Sequence, residues 1–497
     1  MVASERSELW RSKALRLGTG AAPRVLEICS GCGGLSLGLA SAGFELSAHV
    51  EIDPEAAASY ALNFGGDREP DDPWSRSRDM VDSSADEIVS ELKLGTPTGE
   101  SFDILAAGLP CQAFARIGRS KLRAVAGKED AFQTDPRAAL YRRFLDYVRD
   151  TQPLAIIIEN VPDILNFGGH NVPEEICSTL DEVGYRTAYT ILNAAYFGVP
   201  QVRERLFIIA IAETLQVDPL FPDPTHFLDL PRGYESSRRV ALKHVDTGSP
   251  HFHGVHRPSE TLPSAVGVQV ALGDLPEIHE HRHAPRAMRR RRLDDMLPYR
   301  MPVDRLSDYA RLMRHWPGFS TGSASGGHLV RITPRDFPIF EALPHGADYP
   351  QARKLAESMF RSAALQKGFS NIDEGSEQWE ALWNSIVPPY DPGKFPNKWW
   401  KLEPAKPSRT LTAHIGKDTY SHIHYDSGQS RTISVREAAR LQSFPDGFRF
   451  AGAMNAAFRQ VGNAVPPLLG KAVAMALKQQ IDSGLKLIDK AAGREAA

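Results

Sequence analysis

The sequence predicts an α/β protein in which a doubly wound, mostly parallel sheet carries a smaller and irregular second region. Three observations predict it. Short apolar runs (RVLEIC, AHVEID, FDILAAG, AIIIEN, RLFIIAIA) alternate with stretches of helical spacing up to about residue 215. Strands alternating with helices favour parallel pairing with both faces covered. Patterning then weakens over residues 230–400, rich in His, Arg, Pro and Gly, and returns near residue 403.

The elements run in this order. RVLEIC reads as a strand, SGCGG as a glycine turn, and LSLGLASAGF as a helix ending at Gly43. AHVEID is the next strand. Asp53 reads as the N-cap of the helix after it, with Pro54 at the first position, where a missing donor does no harm. FDILAAG, AIIIEN and RLFIIAIA supply three further strands, and FPDPTH marks a proline-rich exit. RAMRRRRLDDM (286–296) is the strongest basic run. VREAARLQSF and LLGKAVAMALKQQI read as helices, and the tail after about residue 485 as frayed. The expected division is 1–276, 277–400 and 401–497, the last piece completing the second region and rejoining the first.

The 497 residues hold 58 Lys and Arg against 61 Asp and Glu, a net charge of −3. That excludes a uniformly basic nucleic-acid coat but not a local basic face, because attraction to phosphate depends on where the charge sits. Four cysteines in so long a chain argue against a disulfide scaffold and for a reducing compartment. The charged N-terminus does not read as a secretory signal. The longest apolar runs are far short of the ~20 residues that span a bilayer. The reading is a cytoplasmic protein with no membrane partner.

In an open parallel sheet, ligands sit beyond the carboxyl ends of the strands. Here those ends carry Ser30 and the turn Gly31-Cys32-Gly33-Gly34, then Glu51, then Pro110-Cys111-Gln112, then Glu159-Asn160-Val161. Gly31 and Gly33 begin a G-x-G-x-x-G pattern, but Ser36 stands at its third glycine. Glu51 comes 18 residues after Gly33, near where an acid grips ribose hydroxyls. This suggests a nucleoside-containing cofactor with no pyrophosphate to cradle; a tight turn without a ligand is the plain alternative. Cys111 reads either as an inert buried thiol or, beside Gln112, Arg116 and Arg119, as a thiolate nucleophile. Glu159 reads as a turn cap or as a partly desolvated carboxyl suited to giving a proton.

Taken together and in order, these segments resemble the DNA (cytosine-5)-methyltransferase family. LEICSGCGGLSLGLASAGF resembles its S-adenosylmethionine loop, Glu51 its ribose-binding acid, Ile52 the adjoining adenine contact, and Asp79 the acid near the adenine amine. Pro110-Cys111-Gln112 resembles the nucleophile motif, and Leu140 a cofactor-contacting leucine. Glu159-Asn160-Val161 and Gln201-Val202-Arg203-Glu204-Arg205 match two further motifs. RTISVREAARLQSFPDGF and the stretch from Gln460 to Pro467, with Asn463 and Val465, match the last two. Departures are Cys29, where the family has an aromatic that stacks on adenine, and Leu109 and Ala115 beside the nucleophile motif.

The resemblance implies a class I methyltransferase (Rossmann-like) sheet and S-adenosylmethionine as cofactor. It places the cofactor on Ser30, Gly31, Gly33, Gly34, Glu51, Ile52, Asp79, Pro110, Leu140, Asn463 and Val465. It makes Cys111 the nucleophile on carbon 6 of a flipped cytosine. Glu159 then contacts ring nitrogen 3 and the exocyclic amine, Arg203 the base or its sugar-phosphate, and Arg205 a structural or phosphate partner. The loop 118–133 is expected to close over DNA. Gln112, Arg116, Arg119, Lys121, Arg289 and Arg290 are the expected DNA contacts, within a target-recognition domain at 277–400 for the last two. His279, His281 and His283 read as an exposed loop, and no metal is expected. The implied partners are double-stranded DNA and, as candidates, cognate restriction or defence proteins, with a monomer acting on DNA. An RNA cytosine-5 methyltransferase and a catalytically silent DNA-binding regulator are the alternatives.

Overall fold

The computed structural model describes residues 3–69, 71–110, 136–167, 169–231, 233–369, 374–417 and 420–495. The chain divides into two compact units. The first comprises Met1–Gly198, Arg203–Ser264 and Ala464–Ala497; the second comprises Val199–Val202 and Ala265–Asn463.

The first unit is built on a six-stranded sheet. Its strands are β1 (Arg24–Ile28), β2 (Glu45–Val50), β3 (Ile104–Ala107), β4 (Ala155–Asn160), β5 (Tyr185–Asn193) and β6 (Glu204–Ala212). They are ordered β2-β1-β3-β4-β6-β5. The first four run parallel, and β6 is antiparallel to both β4 and β5. The AIII of β4 and the FIIAIA of β6 are wholly buried, as continuous apolar runs in a sheet covered on both faces must be. The chain leaves β1 to one side for β2 and returns to the other for β3. Such a reversal is where an open α/β sheet holds its ligand.

Helices α1 (Ala3–Gly18), α2 (Gly34–Ser41) and α3 (Pro54–Phe64) belong to this unit. The α3 start is as the sequence predicts: the Asp53 carboxylate accepts from the Glu55 and Ala56 N–H groups at 2.9 and 3.3 Å, with Pro54 in the first turn. The C-terminal helix Pro467–Glu495 packs on α2. It runs on to Glu495 instead of fraying near residue 485.

Residues 230–400, expected to be irregular, hold two substantial helices in the second unit, Tyr349–Gln366 and Glu377–Ile386. The first is started by a capping box between Asp348 and Gln351. They are hard to read from the sequence because Ala352, Ala356 and Ala364 fill much of the buried face of the first and give little apolar contrast. The core here is Phe337, Phe340, Tyr349, Phe360, Trp399 and Tyr420. Two short strand pairs complete the unit: β7 (Leu297–Pro298) with β8 (Ala324–Ser325), and β9 (Trp399–Lys401) with β10 (Tyr420–Ile423). Of the three histidines expected in an exposed loop, His281 is instead buried, edge-on to Phe337 at 4.8 Å. The motif residues Arg431 and Glu437 form a buried ion pair, and Arg440 is held between Asp274 and Asp446. That motif is therefore scaffold.

Candidate active site at the carboxyl edge of the sheet

Four parallel strands end on one edge of the first unit. After β1 the chain turns through Gly31, whose φ of 57° favours glycine and above whose Cα the space is open. Ser30 is buried, its hydroxyl 3.3 Å from His49 Nδ1. A Cβ at Gly34 would collide with the Val465 carbonyl oxygen, so only glycine lets these two motifs meet. Val465 is buried, whereas Asn463 closes the helix Met454–Asn463 of the second unit and is exposed.

Glu51, at the end of β2, folds back over this turn. Its two oxygens accept from the backbone N–H groups of Gly31 (2.7 Å) and Asp53 (2.8 Å). Burial pushes its pKa up and these hydrogen bonds pull it back. The next side chain, Ile52, is 65% exposed, a bare apolar surface beside a buried acid. Asp79 is half-buried and accepts from the Val81 N–H at 2.9 Å. Leu140 is half-buried on the helix Pro136–Thr151.

At the other side of the reversal, β3 and β4 end together. The Asn160 amide donates to the Leu109 carbonyl at 2.8 Å and ties the two ends. A methyl group on Gly108 would stand 3.3 Å from the Cys29 carbonyl oxygen and 3.8 Å from Glu159 Oε2. Glu159 therefore overlooks Gly108, just past the end of β3 and three residues before Cys111. Pro110 is exposed. Cys111, Gln112, Arg116, Arg119, Lys121 and the loop 118–133 lie outside the described residues.

Because β6 runs antiparallel to β4, with Asn160 opposite Leu206, its leading arginines arrive at β4's carboxyl end. Arg205 Nε lies 2.9 Å from Glu159 Oε1. Arg203 is fully buried and donates to the Ala464 carbonyl at 3.1 Å. The ion pair on the carboxylate is thus made by Arg205. Burial raises the Glu159 pKa, and Arg205 and Arg203 draw it back.

Cys29, Cys32 and Cys177 are held as thiols. Burial pushes all three up, Cys29 to about 12. Cys29 lies with its sulfur 3.6 Å from Met80 Sδ. Among the described residues no group of His, Cys, Asp and Glu could hold a metal ion. No described helix is long and apolar enough to cross a membrane. Arg289 and Arg290 are exposed at the end of the helix Pro285–Arg290.

Glu51, Glu159 and Arg205 thus stand at one edge of an α/β sheet, and comparison with known proteins names the kind of protein that carries them. The chain belongs to the C-5 cytosine-specific DNA methylase family, whose sequence profile matches residues 23–297 and 327–479. Its activity is that of a DNA cytosine-5-methyltransferase. A protein of Oceanobacillus iheyensis, provisionally named type II methyltransferase M.OihORF3336P, is 38% identical over 93% of this chain and 96% of its own length. Type II methyltransferase M.AgeI of Thalassovita gelatinovora is 30% identical over 92% of this chain and its whole length. Among solved structures, a protein encoded within an Escherichia coli prophage and described as a DNA modification methyltransferase shares the fold. It covers 93% of this chain with a TM-score of 0.56 at 22% identity.

The signals that sequence reasoning missed are local. Nothing in the sequence shows that β6 is antiparallel, and so which arginine reaches Glu159. The Asn160–Leu109 tie and the nearness of Gly108 to Glu159 need the coordinates.

Proposed function

We propose that this enzyme methylates carbon 5 of a cytosine flipped out of a specific duplex sequence, using S-adenosylmethionine and a covalent Cys111 adduct. The observation that carries the reading is the buried Glu159–Arg205 pair, set beside the strand end that leads into Cys111. The other three cysteines, held as thiols, leave Cys111 as the candidate nucleophile.

The residues present fit the cofactor. Glu51, fixed by backbone donors, is an acid placed to accept from ribose hydroxyls, Ile52 offers an apolar face to adenine, and the space above Gly31 is open. Bound there, S-adenosylmethionine supplies the methyl group as a sulfonium electrophile for carbon 5.

Carbon 5 of cytosine is a weak nucleophile. Addition of the Cys111 thiolate to carbon 6 forms a C–S bond and moves the ring's electrons to carbon 5. Glu159, whose proton affinity is raised by burial, hydrogen-bonds ring nitrogen 3 and the exocyclic amine and offsets the charge that develops as the thiolate adds. Arg205 holds that carboxyl in place. Once carbon 5 is methylated, its proton leaves to a base, the C–S bond breaks, the ring double bond returns and the thiolate is regenerated. The target must leave the stack first, at about a few kcal/mol. In this reading residues 277–400 recognise the sequence, and the type II names of the relatives support a restriction–modification setting.

Bisulfite sequencing of DNA from cells expressing the chain is expected to show methylcytosine at one recurring sequence. A duplex carrying 5-fluorocytosine there should trap a denaturation-resistant adduct, because fluorine cannot leave carbon 5 as a proton does. Cys111→Ser should bind S-adenosylmethionine normally and lose both signals; undiminished transfer by that variant overturns the assignment. A blank bisulfite result from cofactor-binding protein would point instead to RNA or to a catalytically silent DNA-binding regulator.

A further inference from the structure

Arginines are common in residues 277–400, and most exposed ones carry no information. Five there are half-buried or buried: Arg291, Arg314, Arg331, Arg335 and Arg353. Four of them donate to an oxygen. Arg291 reaches Glu280 and the His328 carbonyl, Arg314 reaches Asp274, Arg335 reaches Asp336, and Arg353 reaches Glu357 and the Pro388 carbonyl. Arg331 makes no hydrogen bond and no ion pair among the described residues.

What holds Arg331 instead is a ring. Its guanidinium carbon lies 5.4 Å from the centroid of Tyr420. Tyr420 is fixed in turn: its N–H donates to the Lys398 carbonyl at 2.9 Å, and its ring packs on Trp399 (5.1 Å) and Phe340 (5.4 Å). The nearest acid in sequence, Asp336, is engaged by both Nε and Nη2 of Arg335, at 2.7 and 3.1 Å. Stacking on an aromatic face orients a guanidinium without using its N–H groups. Nη1 of Arg331 is buried without a hydrogen-bond partner, the side chain as a whole is half-buried, and no described residue accepts from its Nε or Nη2.

Two neighbours repeat the device. Lys398 Nζ sits 3.4 Å from the Tyr390 ring centroid, with no carboxylate partner among the described residues. Arg409 lies 4.8 Å over Trp400, though its Nη2 already donates to Asn397 at 3.3 Å. Around β9 and β10, Arg331, Lys398 and Arg409 are thus each set against a ring.

An edge of two parallel N–H donors matches a pair of acceptors. We propose that Arg331 is a DNA-contacting residue of this enzyme, its unengaged edge taking paired acceptors on the duplex. Those are O6 and N7 of a guanine or two oxygens of one phosphate. The inference rests on the reading of residues 277–400 as the part that recognises DNA.

The test compares wild type with Arg331→Ala, Arg331→Lys and Arg331→Met by equilibrium binding to duplexes. These carry the bisulfite-defined site or single-base changes of it, at several salt concentrations. Arg331→Met keeps an apolar contact on Tyr420, so loss of binding in that folded variant is not a folding defect. Arg331→Ala and Arg331→Met should weaken binding to the site about tenfold or more, with S-adenosylmethionine affinity unchanged. If the acceptor is guanine, discrimination at one base pair falls by about tenfold to a hundredfold. If it is phosphate, all duplexes weaken alike and the salt dependence falls by about one ion. Arg331→Lys should not restore wild-type binding, since an ammonium cannot present a fork. Unchanged affinity and discrimination in folded Arg331→Met, or full rescue by lysine, overturns the proposal. Failure of the wild type to bind or methylate DNA would overturn the functional reading instead.

Discussion

Two carboxylates, Glu51 and Glu159, end neighbouring regions of the same sheet edge and are buried to similar depth, yet they are held in opposite ways. Glu51 is fixed by backbone N–H groups of its own strand end and of the glycine turn. Glu159 faces a side-chain cation, Arg205, at 2.9 Å. Backbone donors cannot move far or change charge, so they make a rigid acceptor. A guanidinium balances charge and leaves the acid's protonation dependent on its surroundings. One arrangement suits holding a ligand; the other suits handling a proton.

The largest test of that contrast is Glu159→Ala. We expect kcat to fall about 10²–10⁴-fold with little change in S-adenosylmethionine affinity; a pure KM effect would erase the distinction. Next comes Arg205→Ala, which leaves a buried carboxyl without its paired cation and should cost about 3 kcal/mol at pH 8. The direction with pH comes from Glu159's raised pKa. Stability from such a group is complete below the ordinary value of 4.5 and is lost as pH rises through the folded value. Without Arg205 that value climbs further, so thermal melts of the variant should lose more between pH 5 and pH 8 than wild type does. Equal loss would mean that Arg205 does not govern the acid.

Glu51→Ala should be smaller and of the other kind. Cofactor KM should rise about tenfold to thirtyfold, by lost hydrogen bonds to a charged acceptor, while kcat at saturation is kept. Smallest is Asn160→Ala, which frees the Leu109 carbonyl. A loss of about fivefold in kcat, measured at saturating cofactor, would show that the tie between β3 and β4 positions the chain beyond Pro110.

Much of the first unit was legible because its rules are local. Alternating apolar runs mark β1 to β4, and Asp53-Pro54 marks the start of α3, with Glu51 at the strand end just before it. The arginines were legible as residues but not as roles, since Arg205 reaches Glu159 only because β6 runs backwards, a long-range fact. Asn160 was legible as part of a motif, but its hydrogen bond was not. The helices at 349–366 and 377–386 escaped although their inward positions are helically spaced, because Ala352, Ala356 and Ala364 give little apolar contrast and the aromatic contacts of Phe360 with Trp379 and Trp383 join two separate helices. His281 escaped for the same reason: alternation with charged neighbours suggests exposure, and only tertiary packing buries it.

The way Glu51 is held has one more consequence. Its oxygens are fixed by backbone donors from the turn and from its own strand end, and the acceptor capacity they retain is held at fixed positions, suited to two adjacent hydroxyls. A deoxyribonucleoside has no such pair. On the proposed reading of Glu51 as the ribose contact, an enzyme that works on a deoxyribose polymer carries a gauge that its own macromolecular substrate fails.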